Sequence, residues 1–194
     1  MTSPSDITHP TLVIVRGLPG SGKTYLAAEL QKNLASRDVI ALDPDKTDYQ
    51  SQAYVDHVKK LTEDGVDPKL FAYRFLRAQA YKGIEQHKTI IWNQPFTNLE
   101  IFHKMISGLR NYAQEHGTQL EVLVVEVNVD PVVAKRRVDE RKASGGHGPS
   151  NATFERFVSD YKSFAPEGYQ VVAVDGQRNV TESVAAVVRA LNLS

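Results

Sequence analysis

Five short apolar runs punctuate the chain, and most of the intervening stretches carry apolar residues at three- and four-residue spacing. Leu12-Val13-Ile14-Val15 is the first run, and it predicts a buried strand over residues 11–15. Leu26, Ala27, Leu30 and Leu34 then make the stripe of a helix over 23–34. Further strands are expected at 38–42, 88–92, 120–127 and 169–174, the one at 120–127 being the longest and central. Helices are expected near 52–63 and 68–86, separated by the Asp64-Gly65 break, and over 98–116 and 180–191. Another opens at Asp130-Pro131, with Asp130 as N-cap and Pro131 in the first helical position. After Asn151, the residues Phe154, Phe157, Val158, Tyr161 and Phe164 form a helical stripe expected to face the core.

Strands alternating with helices along the whole length predict an α/β fold, a parallel sheet covered on both faces. A chain of 194 residues needs only one core, so residues 11–194 are read as a single domain behind a disordered N-terminus, 1–10.

Charge and composition narrow the partners. Lys and Arg total 23, as do Asp and Glu, so no global field draws the chain to nucleic acid or to an anionic membrane, although a local basic patch is not excluded. Cysteine is absent, which removes disulfides, thiolate metal sites and thiol nucleophiles. No apolar run approaches the ~20 residues of a membrane span, and the polar start has no apolar signal region. The expectation is a soluble, cytoplasmic protein of undetermined oligomeric state.

The most specific chemistry follows the first strand. Gly17-Leu18-Pro19-Gly20-Ser21-Gly22-Lys23-Thr24 fits the phosphate-binding loop pattern, between a buried strand and a helix as that loop requires. Backbone N–H groups and the positive helix end face the anion. Lys23 is placed to neutralise the β and γ phosphates and Thr24 to hold Mg²⁺.

Other candidates surround this loop. Asp43 and Asp45 follow the second strand, at the sheet edge where ligands collect in open α/β folds. The same pair can be read as an acidic turn closed by Pro44. Asn93 and Gln94 end the third strand, where an acidic residue would ordinarily hold the Mg²⁺ shell. They can bind substrate or a metal-bound water, or simply close a turn. Tyr73, Arg74 and Arg77, near Tyr81, can recognise an anionic or ring-bearing acceptor, or form a solvated basic face, which makes 49–87 the expected acceptor-binding region. Arg137 and Arg141 share one helical face before the glycine-rich 144–149, which suits a lid over 136–150 closing arginines on phosphates. Six histidines show no pair at metal-ligand spacing.

These features resemble the small P-loop kinases that include zeta-toxin-like, chloramphenicol-phosphotransferase-like, gluconate-kinase-like and polynucleotide-kinase-like enzymes. The resemblance rests on the loop 17–24, the Asp43/Asp45 pair, Arg137 and Arg141 before a glycine-rich segment, and Val174-Asp175-Gly176. It implies a five-stranded parallel sheet in the order 2-3-1-4-5, ATP and Mg²⁺ as cofactors, and γ-phosphoryl transfer to a hydroxyl. It further implies that an Asp after the second strand is base or substrate anchor, with Asp43 preferred over Asp45. Arg137 would lie against adenine or its phosphates, Arg141 would reach the transferring group, and Asp175, Gly176 and Gln177 would border adenine. The chain departs from many relatives at Trp92-Asn93.

Three functions are therefore expected in order: a kinase of a small hydroxyl-bearing molecule such as a nucleoside, sugar nucleotide or antibiotic-like compound, a polynucleotide 5′-hydroxyl kinase, and a nucleotide-responsive binding protein with little turnover. Net neutrality counts against the second.

Overall fold

The computed structural model describes residues 9–192; most of the N-terminal stretch expected to be disordered lies outside them. Five strands, β1 (Thr11–Gly17), β2 (Val39–Leu42), β3 (Thr89–Asn93), β4 (Glu121–Asn128) and β5 (Gln170–Asp175), form one parallel sheet in the order β2-β3-β1-β4-β5. Seven α-helices cover it: α1 (Lys23–Asn33), α2 (Gln52–Glu63), α3 (Phe71–Glu85), α4 (Leu99–Glu115), α5 (Pro131–Ala143), α6 (Asn151–Asp160) and α7 (Val180–Leu191). None of the described helices is long and apolar enough to cross a membrane.

Alternation along the strands sorts the core into two faces. Leu12, Ile14, Ile90, Trp92, Val122 and Val124 pack on one face with residues of α3 and α4. Val13, Val15, Ile91, Leu123, Val125 and Val127 pack on the other with α1 and α7. Both faces of β1 and β3 are buried, which explains why they read as unbroken apolar runs. The same alternation carries Asn93, one step beyond Trp92, to the α1 face at the carboxyl end of the sheet.

Two charges interrupt this pattern. Arg16 on β1 and Glu126 on β4 are register partners on the α3/α4 face, both buried, with Nη1 to Oε1 at 2.6 Å. Arg16 also donates to the Lys162 and Phe96 carbonyls, while Glu126 Oε1 accepts from the Phe164 N–H at 2.7 Å. The Tyr161 and Phe164 rings lie 4.3 Å and 3.7 Å from the guanidinium carbon. Burial lowers the Arg16 pKa, while nearby Tyr161 and Glu126 oppose the shift. This differs from the expected apolar stripe: α6 ends at Asp160, so Tyr161 and Phe164 belong to the following segment and cap the ion pair. The pair thereby ties the strand feeding the loop 17–24 to the chain that returns from α6. Arg16→Met leaves the Glu126 carboxylate buried without its partner and is expected to cost about 3–5 kcal/mol in chemical denaturation, with much of the loss recovered by adding Glu126→Gln.

Candidate functional site

Gly20 and Gly22 have φ of 83° and 97°, the left-handed conformations that let residues 17–24 wrap back toward α1. The Ser21 N–H donates to the Leu18 carbonyl at 3.0 Å, and Gly22 is the N-cap of α1. The loop is docked from outside: Leu18 is buried with Ala134 and Val138 of α5 and Phe154 of α6. A Cβ on Gly20 would collide with the Ala134 carbonyl, and one on Gly176 with the Ser21 carbonyl. Close backbone approach thus fixes α5 and the end of β5 against the loop.

That docking explains where the arginines stand. Arg137 Nη1 donates to the Gly176 carbonyl at 3.0 Å and the Gly20 carbonyl at 3.3 Å, bracing the loop. Arg141, one turn later, lines the cleft beside Lys23. The helix persists to Ala143, so the irregular part of the expected lid is residues 144–150. It doubles back at Gly145, whose φ is 82°, and His147 Nε2 reaches to 3.8 Å from Asp45 Oδ2.

Asn93 Nδ2 donates to Thr24 Oγ1 at 3.0 Å and to Asp43 Oδ2 at 2.7 Å, so this amide links the loop helix to the acidic turn. Asp43 Oδ1 accepts from the Asp45 N–H at 2.9 Å as the N-cap of the Pro44–Lys46 turn. Asn93 Oδ1 is buried and has no partner. Gln94 Oε1 accepts from Trp92 Nε1 at 3.2 Å. Asp43, Asp45, Asn93, Gln94, Lys23, Thr24 and Arg141 share one cleft of about 410 Å³.

Lys23 Nζ lies 3.4 Å from the Leu18 carbonyl. Its pKa is lowered from 10.5 to about 8, chiefly by burial and further by Arg141, against the opposing effect of Asp45 and Asp43. The unfolded chain keeps this proton to about 10.5, so this group's contribution to stability rises with pH between about 8 and 10.5. At neutral pH the charge is held at a cost that a bound polyanion would relieve. Polyphosphate affinity is therefore expected to fall by up to about tenfold per pH unit above 8 in titration calorimetry, with proton uptake on binding, and this dependence should vanish in Lys23→Ala.

Asp175, Gly176 and Gln177 lie where β5 ends beside the loop. Asp175 Oδ1 caps the Gln177 N–H at 2.8 Å, and Gln177 Oε1 accepts from the Asp130 N–H at 3.2 Å. Asp175 and Gly176 line a smaller pocket with Ser21, Gly22 and Tyr25.

Tyr73, Arg74 and Arg77 are not among the residues lining the cleft. Tyr73 packs against the core, Arg74 is exposed, and Arg77 is held over Gly108 of α4, 5.3 Å from the Tyr81 ring centre. Nothing from 49–87 lines that cleft. The sequence does not single out Tyr25, Lys46 or His147, and its pattern turns Phe157 toward the core; all four line the two adjoining pockets. Lys46 had a signal, being the only cation in the acidic turn; the others depend on how loops fold back.

The sheet order, the strand–loop–helix unit and the converging Lys23, Thr24 and arginines define a P-loop nucleotide-binding fold. Residues 12–166 match the profile of the family described as AAA domain, and the chain belongs to that family, whose fold here is that of the small P-loop kinases. Similar solved structures include a gluconokinase from Sinorhizobium meliloti 1021, 15% identical with TM-score 0.55, the match covering 95% of each chain. Deoxyadenosine kinase from M. mycoides with bound dATP is 18% identical with TM-score 0.54, covering 93% of this chain and 98% of that one. A structure of the PezAT toxin–antitoxin system of Streptococcus pneumoniae is 14% identical with TM-score 0.60, covering 89% and 70%. No curated protein sequence matches this one significantly. At these identities the likeness is one of fold.

Proposed function

We propose that the protein is an ATP-dependent kinase that transfers the γ-phosphoryl group to a hydroxyl of a small molecule in the cytoplasm. The observation that carries this reading is the single cleft in which a desolvated P-loop lysine, a lid arginine and a strand-end aspartate face one another.

In this reading the loop N–H groups and Lys23 bind the β and γ phosphates, and Arg137 keeps the loop in shape through the Gly20 and Gly176 carbonyls. Arg141 faces the transferring group and Asp43 orients the acceptor hydroxyl. The acceptor oxygen forms the new P–O bond as the bond from Pγ to the ADP oxygen breaks, and the hydroxyl proton passes to the Asp43 carboxylate. Positioning and charge stabilisation supply most of the catalysis in such transfers. Asp175, Gly176 and Gln177 would border the adenine, beside the exposed ring of Tyr25.

No cluster of three or more His, Asp, Glu or Cys that could hold a metal occurs among the described residues. The oxygen donors at the loop still fit Mg²⁺: Thr24 Oγ1, the Asp43 carboxylate and the unpartnered Asn93 Oδ1. Thr24 would hold the ion directly and Asp43 and Asn93 would orient its water shell. Mg²⁺ bound there would offset negative charge on the phosphates.

The test is ADP release from ATP with Mg²⁺ across nucleosides, sugars, sugar nucleotides, aminoglycosides and short oligonucleotides. Stimulation by one acceptor class is expected. Tight ATP binding with no stimulated release, together with a large ATP-induced change in amide exchange over 144–150, would instead support a nucleotide switch.

A further inference from the structure

Asn93 stands where two walls of the cleft meet. It ends β3, which lies between β2 and β1, so it sits between the acidic turn and the phosphate loop. It is 5% exposed, and its one amide nitrogen donates to both sides, to Thr24 Oγ1 at 3.0 Å and to Asp43 Oδ2 at 2.7 Å. Asp43 Oδ1 meanwhile accepts from the Asp45 N–H at 2.9 Å, so each carboxylate oxygen has its own donor and the group is kept from turning. The tie from Asp45 lies within the turn. The tie from Asn93 refers the carboxylate to Thr24, and through it to the loop 17–24. An acid at this position could accept from the Thr24 hydroxyl but would have nothing to donate to Asp43, so the amide does what the acid ordinarily found there cannot.

That difference bears on transfer to an alcohol. The acceptor oxygen must lie about 3–3.5 Å from the phosphorus, and a misplacement of about 1 Å costs about a hundredfold in rate. Asp43 belongs to the turn after β2, whereas the phosphates belong to the loop after β1, and the Asn93 amide fixes the one against the other. We infer, on the reading that this cleft is a phosphoryl-transfer site, that Asn93 is a positioning residue for the transfer: by donating to Asp43 it aims that carboxylate at the acceptor hydroxyl. Its contribution to turnover runs through Asp43, and it is that of a donor, which an acid cannot replace.

The test is a double-mutant cycle. Wild type, Asn93→Ala, Asp43→Asn and the double variant are incubated with Mg²⁺, a soluble metabolite extract as acceptor source, and ATP labelled at the γ position. Labelled organic phosphate is referred to the ATP-binding sites counted by titration calorimetry, so an unfolded fraction cancels. At saturating ATP, Asn93→Ala is expected to lose about tenfold or more in label, with ATP affinity within a few-fold. In the Asp43→Asn background the same change should cost less than about twofold, because the carboxylate it acts through is gone. Asn93→Asp should be at least as impaired as Asn93→Ala, since its carboxylate repels Asp43 instead of holding it. Combining Asn93→Asp with Asp43→Asn rebuilds the bridge with its polarity reversed, and should recover the thermal midpoint lost in Asn93→Asp while label stays as low as in Asp43→Asn. Equal losses from Asn93→Ala in both backgrounds, or wild-type label from Asn93→Asp, would overturn the inference and leave the kinase standing. No labelled product from wild type, with ATP bound, would overturn the kinase reading and the inference together.

Discussion

Lys23→Ala is expected to lower ATP turnover by at least about a thousandfold and to weaken ATP binding as well. The magnitude follows from where the lysine sits. Its ammonium is buried enough for its pKa to fall to about 8, and it stands among Asp43, Asp45 and Arg141. Charge in such a desolvated site interacts with a phosphate more strongly than a surface lysine would. The other cations of the cleft are placed differently: Arg137 is committed to the Gly20 and Gly176 carbonyls, Arg141 stands on the lid helix, and Lys46 is exposed in the turn after β2. Removing the side chain leaves the backbone cradle intact, so far-UV circular dichroism should be unchanged. Turnover within tenfold of wild type would mean that the loop 17–24 is not the phosphate site.

Asp43→Asn is expected to reduce turnover by about a hundredfold or more while leaving ATP affinity within a few-fold. An asparagine has one carbonyl oxygen where the aspartate has two: it can still accept from the Asp45 N–H, as Oδ1 now does at 2.9 Å, while its amide nitrogen faces Asn93, whose own Oδ1 can accept once that amide turns over. The substitution therefore removes charge and basicity with little change of shape. Asp45→Asn should have the smaller effect, because Asp45 is exposed toward His147 and does not touch the Asn93 bridge. Affinity and turnover measured together decide the role of Asp43: loss of turnover alone marks it as acceptor base, and equal loss of both marks it as a metal anchor.

Much of the architecture could be read from local pattern. Strands flanked on both sides by helices give unbroken apolar runs, so Thr11–Gly17 and Glu121–Asn128 were found with errors only at their ends. The loop 17–24 was legible because its function depends on backbone conformation, which glycine spacing encodes. The sheet order, by contrast, came from resemblance, since local periodicity does not say which strands are neighbours.

What escaped the reading depends on contacts between distant residues. Arg16 and Glu126 are 110 positions apart, and each alone looks like a polar strand end; only their register makes them a buried pair. Asn93 was met as a missing acid, whereas its amide joins Thr24 to Asp43 across separations of 69 and 50 residues. An acid in its place would be a third carboxylate beside Asp43 and Asp45, and it could not donate to either oxygen. No residue of 49–87 lines the cleft, and arginines flanked by tyrosines suit packing as well as recognition: Tyr81 stacks on Tyr112 of α4, and Arg77 fills the space over Gly108.

The central claim, that phosphate leaves ATP for an alcohol in this cleft, is tested most directly by following ATP, Mg²⁺ and an acceptor pool by phosphorus NMR with wild type and Asp43→Asn. The account predicts that wild type converts the γ resonance into a phosphate monoester in step with ADP, and that Asp43→Asn, still saturated with ATP, does not. Inorganic phosphate as the sole product, formed equally by both proteins, would contradict it.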